Sequence, residues 1–282
     1  MLKIIQITDC HLLPSGETIF DSNPETRLRT CIDDINANHP DAALCVLTGD
    51  LAHHADPRAY AVLKECLAEL ALPYRLMMGN HDDRTALRTA FPDVPVDEHG
   101  FVQSALDTAA GRLLFLDTIQ PGVHTGAYCP QRRAWLKARL GESGDDVPVY
   151  LFMHHPPFAI ELPHIDEYRM DDRDSSSLGD MLREGKAPRH LFFGHVHRPV
   201  CGSWLGIPFS ALRGTNHQSW LDFRARNVNV CSLEPPAYGV IFIAPDRTIV
   251  HFHDFLDDSP KYIYDPGAPV EDQVRPVAAR RP

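Results

Sequence analysis

The chain has 282 residues, of which 44% are hydrophobic and 23% charged, a balance that fits a globular protein and excludes a disordered or fibrous one. That length accommodates one large domain, or one domain with a small appendage. A formal net charge of −11 argues against nucleic acid and anionic membrane surfaces as partners, because both need a basic footprint. Cys10, Cys31, Cys45, Cys66, Cys129, Cys201 and Cys231 contain no CxxC pair and read as reduced thiols. The start, MLKIIQITDCH, is too short for a signal-peptide core, and no apolar stretch approaches a membrane span. A cytoplasmic location is expected.

In chain order, short apolar runs alternate with helical patterns. KIIQIT precedes PETRLRTCIDDINANH, AALCVLT precedes PRAYAVLKECLAEL, and YRLMM precedes DDRTALRTAF. Leu28, Cys31, Ile32 and Ile35 fall at i, i+3, i+4 and i+7, with Pro24 near the helix start where a missing N–H costs little. Further strands are expected at FVQSAL, RLLFLDT, VPVYLFM and RHLFFG, with a helix at QRRAWLKARL. The stretch 158–177 is too rich in Asp, Glu and Arg for a regular element and is expected to be a lid; its acidic run DEYRMDDRD reads as a solvated loop. After residue 199 the rhythm turns to β: VCGSW, IPFSAL, YGVIFIA and RTIVHFHDF. Residues 1–258 are therefore expected to form the catalytic domain, and 259–282, rich in Pro and charge, an extended arm or disordered tail.

The residues at the ends of the apolar runs are chemically uniform. Asp9 and His11 come after KIIQIT, Asp50 after ALCVLTG, Asn80, His81 and Asp82 after YRLMMG, His154 and His155 after VYLFM, and His195 and His197 after LFFG. Loops beyond strand carboxyl ends of an open α/β sheet share one crevice, so these side chains can converge. On an extended backbone His195 and His197 would point to the same side, while Cys10, between Asp9 and His11, would point into the core. Carboxylate, amide oxygen and imidazole together suit Mn, Fe, Zn or Co better than a thiolate-seeking ion.

The segments DCH, GD, GNHDD, MHHPP and GHVH, in this order, resemble the calcineurin-like metallophosphoesterase superfamily. MHHPPF and RGTNHQ at Arg213 to Gln218 resemble its bacterial branch of class III cyclic nucleotide phosphodiesterases and glycerophosphodiesterases. The resemblance implies a four-layer α/β/β/α sandwich of two mixed sheets. It also implies two first-row divalent or trivalent ions: one held by Asp9, His11 and His197, the other by Asn80, His154 and His195, with Asp50 bridging. His81 and His217 are implied as catalytic contacts to the phosphate or leaving oxygen, and Asp82 is expected to orient a neighbouring histidine ring. The expected reaction is in-line hydrolysis of a small phosphodiester by a metal-bound hydroxide. A glycerophosphodiester is favoured, with a 3′,5′-cyclic nucleotide as the alternative and a metal-dead protein-binding scaffold as a distant one. Trp204, Trp220 and Tyr128 are available for base stacking. A homo-oligomer is implied, without nucleic-acid or membrane partners. His53 and His54 read as rim or exposed, His124 and His164 as lid residues, and His251 and His253 as facing solvent.

Overall fold

The runs LCVL and VYLFM form strands buried along their whole length, which is why they lack a polar alternate position. In the computed structural model, which describes residues 1–277 except 145, 225 and 227, the first half runs β1 (Leu2–Ile7), α1 (Pro24–Asn38), β2 (Leu44–Leu47), α2 (Pro57–Ala68), β3 (Tyr74–Leu76), α3 (Arg84–Ala90), β4 (Ser104–Thr108) and β5 (Gly111–Phe115). It continues through α4 (Pro130–Gly141), β6 (Val149–Met153), α5 (Pro163–Asp166), α6 (Asp172–Glu184) and β7 (His190–Phe193). The late region holds β8 (Val200–Trp204), β9 (Ile207–Ala211), β10 (Gln218–Ser219), β11 (Cys231–Ser232), β12 (Ala237–Ala244) and β13 (Arg247–Asp254), then β14 (Tyr262–Tyr264) and β15 (Val274–Pro276).

Two large mixed sheets result, one ordered β13-β12-β1-β2-β3 and the other β4-β5-β6-β7-β9-β8. Within them β1, β2 and β3 run parallel, as do β5, β6, β7 and β9. Successive residues of one strand serve different layers. Ile4 and Val46 join Phe115, Phe152, Phe192 and Ile241 between the sheets, whereas Ile5, Ile7, Cys45 and Leu47 pack outward with Leu28, Ile32, Ile35, Leu63 and Leu87. On the far side Leu151, Met153, Leu191 and Phe193 meet Trp135, Leu136, Leu178 and Leu182 of α4 and α6. This is the expected α/β/β/α sandwich.

Caps fix where the helices begin. The Asn23 side chain accepts from Thr26 N at 2.8 Å, Asp56 from Arg58 N at 2.8 Å and Asp83 from Ala86 N at 2.8 Å. The 158–177 stretch is less irregular than expected, since it carries α5 and the first turns of α6. The Asp171 side chain caps α6 through Asp174 N at 2.9 Å, and Asp174 itself pairs with Arg133 at 2.6 Å, so part of the acidic run is tied down rather than solvated. The tail folds back on itself as an exposed antiparallel hairpin of β14 and β15; residues 278–282 lie outside the described residues. Among the described residues no helix is long and apolar enough to cross a membrane.

Candidate metal centre

The carboxyl ends of β1, β2, β3, β6 and β7 open on one cavity of about 280 Å³. Its floor is built from strained backbone. Asp9, His11, Asp50, His195 and His197 all have positive φ, between 47° and 69°, a region that L residues with a Cβ seldom occupy. Such outliers persist only where surrounding structure holds them, and they cluster at working sites. The two rings of GHVH thus reach the cavity from two left-handed positions, and not from the extended backbone expected. Val196 between them is buried in the core, as is Cys10 between Asp9 and His11.

Glycine permits the crowding. At Gly79 a Cβ would lie 2.2 Å from Asp50 Oδ1, and at Gly49, which has φ +104°, 2.5 Å from His154 Nδ1. No side chain larger than hydrogen fits at either position.

Two sets of donor atoms meet at Asp50. In the first, ligand atoms of Asp9, His11, Asp50 and His197 all lie within 4.8 Å of one another, every residue buried. His11 Nε2 and His197 Nε2 are 3.0 Å apart, and His197 Nε2 is 3.5 Å from Asp9 Oδ1. In the second, Asn80 Oδ1 lies 3.2 Å from His154 Nε2 and 3.0 Å from His195 Nδ1. Asp50 Oδ2 stands between the sets, 3.6 Å from His11 Nε2 and 3.4 Å from His154 Nε2.

Two of these rings have their protons committed elsewhere. His154 Nδ1–H donates to Thr48 O at 2.8 Å and His197 Nδ1–H to His217 O at 2.8 Å, which leaves both Nε2 atoms as bare acceptors. These bare nitrogens face amide and carboxylate oxygens in a buried place, the arrangement a divalent cation resolves. Among the described residues lining the cavity there is no Lys or Arg to take that part. Without a cation the pocket turns to protons. Burial alone would lower His154, but Asp50 and Asp9 carry it up to about 9, while burial raises the Asp9 carboxyl. The residues present fit metal ions.

The model of the calcineurin-like phosphoesterase family matches residues 2–199. The chain belongs to that family. Its relatives include a probable cyclic nucleotide phosphodiesterase of Rhodopseudomonas palustris, 39% identical over 93% of this chain and 95% of the relative. A probable glycerophosphodiester phosphodiesterase of Arcobacter nitrofigilis is 28% identical over 83% of this phosphoesterase and 86% of the relative. A purple acid phosphatase from yellow lupin shares the fold, with a TM-score of 0.64 at 12% identity, covering 92% of this chain and 52% of that one.

All seven metal-ligand candidates of this phosphoesterase converge, and His81 and His217 join them. His81 N donates to Asp50 Oδ1 at 2.9 Å, and its Nδ1–H donates to His53 O at 2.7 Å. The His217 ring lies 4.6 Å from that of His197 and 4.9 Å from that of His11. Asp82 corrects its expectation. It orients no histidine; its carboxylate accepts from Leu51 N, Ala52 N and Gly79 N at 3.1, 3.1 and 2.9 Å and from the Tyr60 hydroxyl at 2.9 Å. Asp82 thus buckles the GD loop to the GNHD loop. His155 is likewise structural: its ring bridges Thr118 Oγ1 at 2.8 Å and His124 O at 3.1 Å, holding the loop that brings His124 to the site.

Four further residues reach the site. His124 accepts from the Asn80 amide Nδ2 at 2.9 Å, which turns Asn80 Oδ1 toward His154 and His195. His53 Nδ1 faces His11 Nδ1 at 3.1 Å, and its place just after the GD motif was the available signal. Phe20 and Tyr168 line the mouth, whereas the expected aromatics do not: Tyr128 is fully buried, Trp204 packs on Phe158, and Trp220 is exposed outside the cavity lining. His164 is buried without lining the cavity, and His54, His251 and His253 are exposed.

Proposed function

We propose that this phosphoesterase hydrolyses small phosphodiesters with two first-row metal ions, one in each donor set. Asp9, His11 and His197 would hold one ion, Asn80, His154 and His195 the other, and Asp50 both. The observation that carries this reading is that Asp50 Oδ2 stands within reach of an imidazole nitrogen from each donor set, His11 Nε2 at 3.6 Å and His154 Nε2 at 3.4 Å. When bound, such ions supply Lewis acidity at phosphorus and lower the pKa of water. The chain supplies the rest. With His81 Nδ1–H fixed on His53 O, its Nε2 points away from that bond; once Nε2 has taken up a second proton, the imidazolium gives that proton to the departing alkoxide and returns to the Nδ1–H tautomer. Asn216 Nδ2 donates to His217 Nδ1 at 3.3 Å, so the neutral His217 ring carries its proton on Nε2 and offers it to a phosphoryl oxygen.

The alcohol side of the substrate separates the two candidate classes. An ammonium headgroup of a glycerophosphodiester asks for a carboxylate at the mouth, yet Asp50 is the only Asp, Glu, Lys or Arg among the described lining residues. That neutrality, and the name of the Rhodopseudomonas palustris relative, favour 3′,5′-cyclic nucleotides over the glycerophosphodiesters that the sequence suggested. The Arcobacter nitrofigilis relative supports the second class. On manganese-reconstituted protein we expect cAMP and bis(p-nitrophenyl) phosphate to turn over faster than glycerophosphoethanolamine, and all diesters faster than p-nitrophenyl phosphate. Monoester turnover above every diester would overturn the diester class.

Residues 1–258 are read as the catalytic unit and the hairpin beyond as an appended arm. Tyr262, Tyr264 and Val270 of that arm are 63%, 66% and 82% exposed, which supports a homo-oligomer covering them; a monomer mass by light scattering would sink this. Seven unpaired cysteines support a reducing, cytoplasmic setting.

A further inference from the structure

Phe20 breaks two local rules at the mouth of the cavity. Ile19 and Ser22 exchange both backbone hydrogen bonds, at 2.9 and 3.0 Å, closing a two-residue hairpin whose central residues Phe20 and Asp21 have φ of 51° and 58°. Hairpins of this length favour such a turn but fill it with Asn-Gly or Asp-Gly, because a Cβ resists positive φ. A bulky aromatic is among the residues least suited to it. Burial does not offset the strain, since the ring is 49% exposed.

The turn is nevertheless held firmly. The buried Ser22 hydroxyl donates to Asn216 Oδ1 at 3.0 Å, and Arg27 Nη1 donates to Asn216 O at 2.5 Å. This fastens the hairpin to the residue preceding His217. The Phe20 ring meets that of His217 edge-on, with centroids 4.9 Å apart and planes at 64°. Tyr168, 43% exposed, also lines the cavity and stands edge-on to His124 at 5.8 Å. Each aromatic therefore rises from a different histidine of the site, with open cavity beside it.

We propose that Phe20 is a specificity-determining residue, an apolar platform on which the planar part of a diester's alcohol packs while the phosphorus sits over the metal centre. Tyr168 forms a further apolar wall. The proposal rests on the phosphodiesterase reading above and narrows it to diesters carrying a flat ring, such as a purine. Stacking is tolerant of which base is presented, so either purine suits the platform.

Phe20→Asn tests this without endangering the fold, because Asn tolerates the left-handed turn that Phe resists. The variant should melt about 2 °C higher than wild type. AMP and inorganic phosphate, as competitive inhibitors of bis(p-nitrophenyl) phosphate hydrolysis by the metal-loaded enzyme, separate the ring from the phosphate. In Phe20→Asn the Ki for AMP should rise about ten-fold, in line with the worth of one base–aromatic stack, with the Ki for phosphate changed less than about two-fold. For the diester the loss should fall on KM and spare kcat, and Phe20→Tyr should restore it. Equal shifts for AMP and phosphate, or none, in an enzyme that still cleaves the diester would overturn the role of Phe20 alone. A wild-type enzyme that cleaves no diester would overturn the phosphodiesterase reading and this proposal with it.

Discussion

Asp50→Ala should strip the protein of bound metal and lower diester turnover by on the order of 10³-fold or more. Asp50 Oδ2 is the atom within 3.6 Å of His11 Nε2 and 3.4 Å of His154 Nε2, so removing it takes a donor from both sets at once. Neither set then retains a charge shared with the other, and the two imidazole groups are left to hold cations against each other's repulsion. Asp9 cannot substitute, because Thr8 Oγ1 and His195 N already donate to its oxygens at 2.8 and 3.1 Å and hold it in the first set. The fold should survive. The β1–β2 pairing and the outer core do not use this carboxylate, and circular dichroism should be unchanged. Elemental analysis after gel filtration is the decisive measurement: a variant that keeps two equivalents per chain would remove Asp50 from its bridging place.

How much of this site could be read in advance depends on which interactions carry it. Asp9, Asp50, Asn80, His154 and His195 were legible because each ends an apolar run, and topology alone then brings them to one edge. The left-handed backbone of Asp9 and His197 was not legible, since nothing in a neighbouring residue announces a conformation enforced by the tertiary cage. Helix α6 was hidden for a different reason. Its first turns are mostly Asp and Ser, which local propensity assigns to caps and turns, and its apolar positions at helical spacing, Leu178, Met181 and Leu182, all fall in its second half. His124 and Phe20 depend on where long loops land, in one case because His155 holds the loop and in the other because Ser22 is bonded to Asn216 across 194 residues of sequence. Asp82 misleads in the sequence because a carboxylate beside histidines suggests a ring partner, whereas its donors are the Tyr60 hydroxyl and backbone N–H groups brought in by two separate loops.

His81→Ala should behave in the opposite way to the loss of Asp50, retaining its metal and losing roughly 10²- to 10⁴-fold in turnover of cAMP. The contact from this residue to Asp50 runs through its backbone N–H, at 2.9 Å, and Ala keeps that group. Its imidazole is not needed to complete either donor set; it is stacked on His53 with centroids 4.9 Å apart and planes at 15°, and anchored through Nδ1 to His53 O. That anchoring fixes the direction of Nε2, so that the imidazolium form holds an Nε2–H for the departing alkoxide as its P–O bond lengthens. The deficit should therefore scale with how poor the leaving group is. It should be large for cAMP, whose leaving alkoxide is strongly basic, and small for bis(p-nitrophenyl) phosphate, whose nitrophenolate departs without a proton. Equal losses on the two substrates with metal retained would place His81 in binding and not in proton delivery, and loss of metal in His81→Ala would join it to the ligand set.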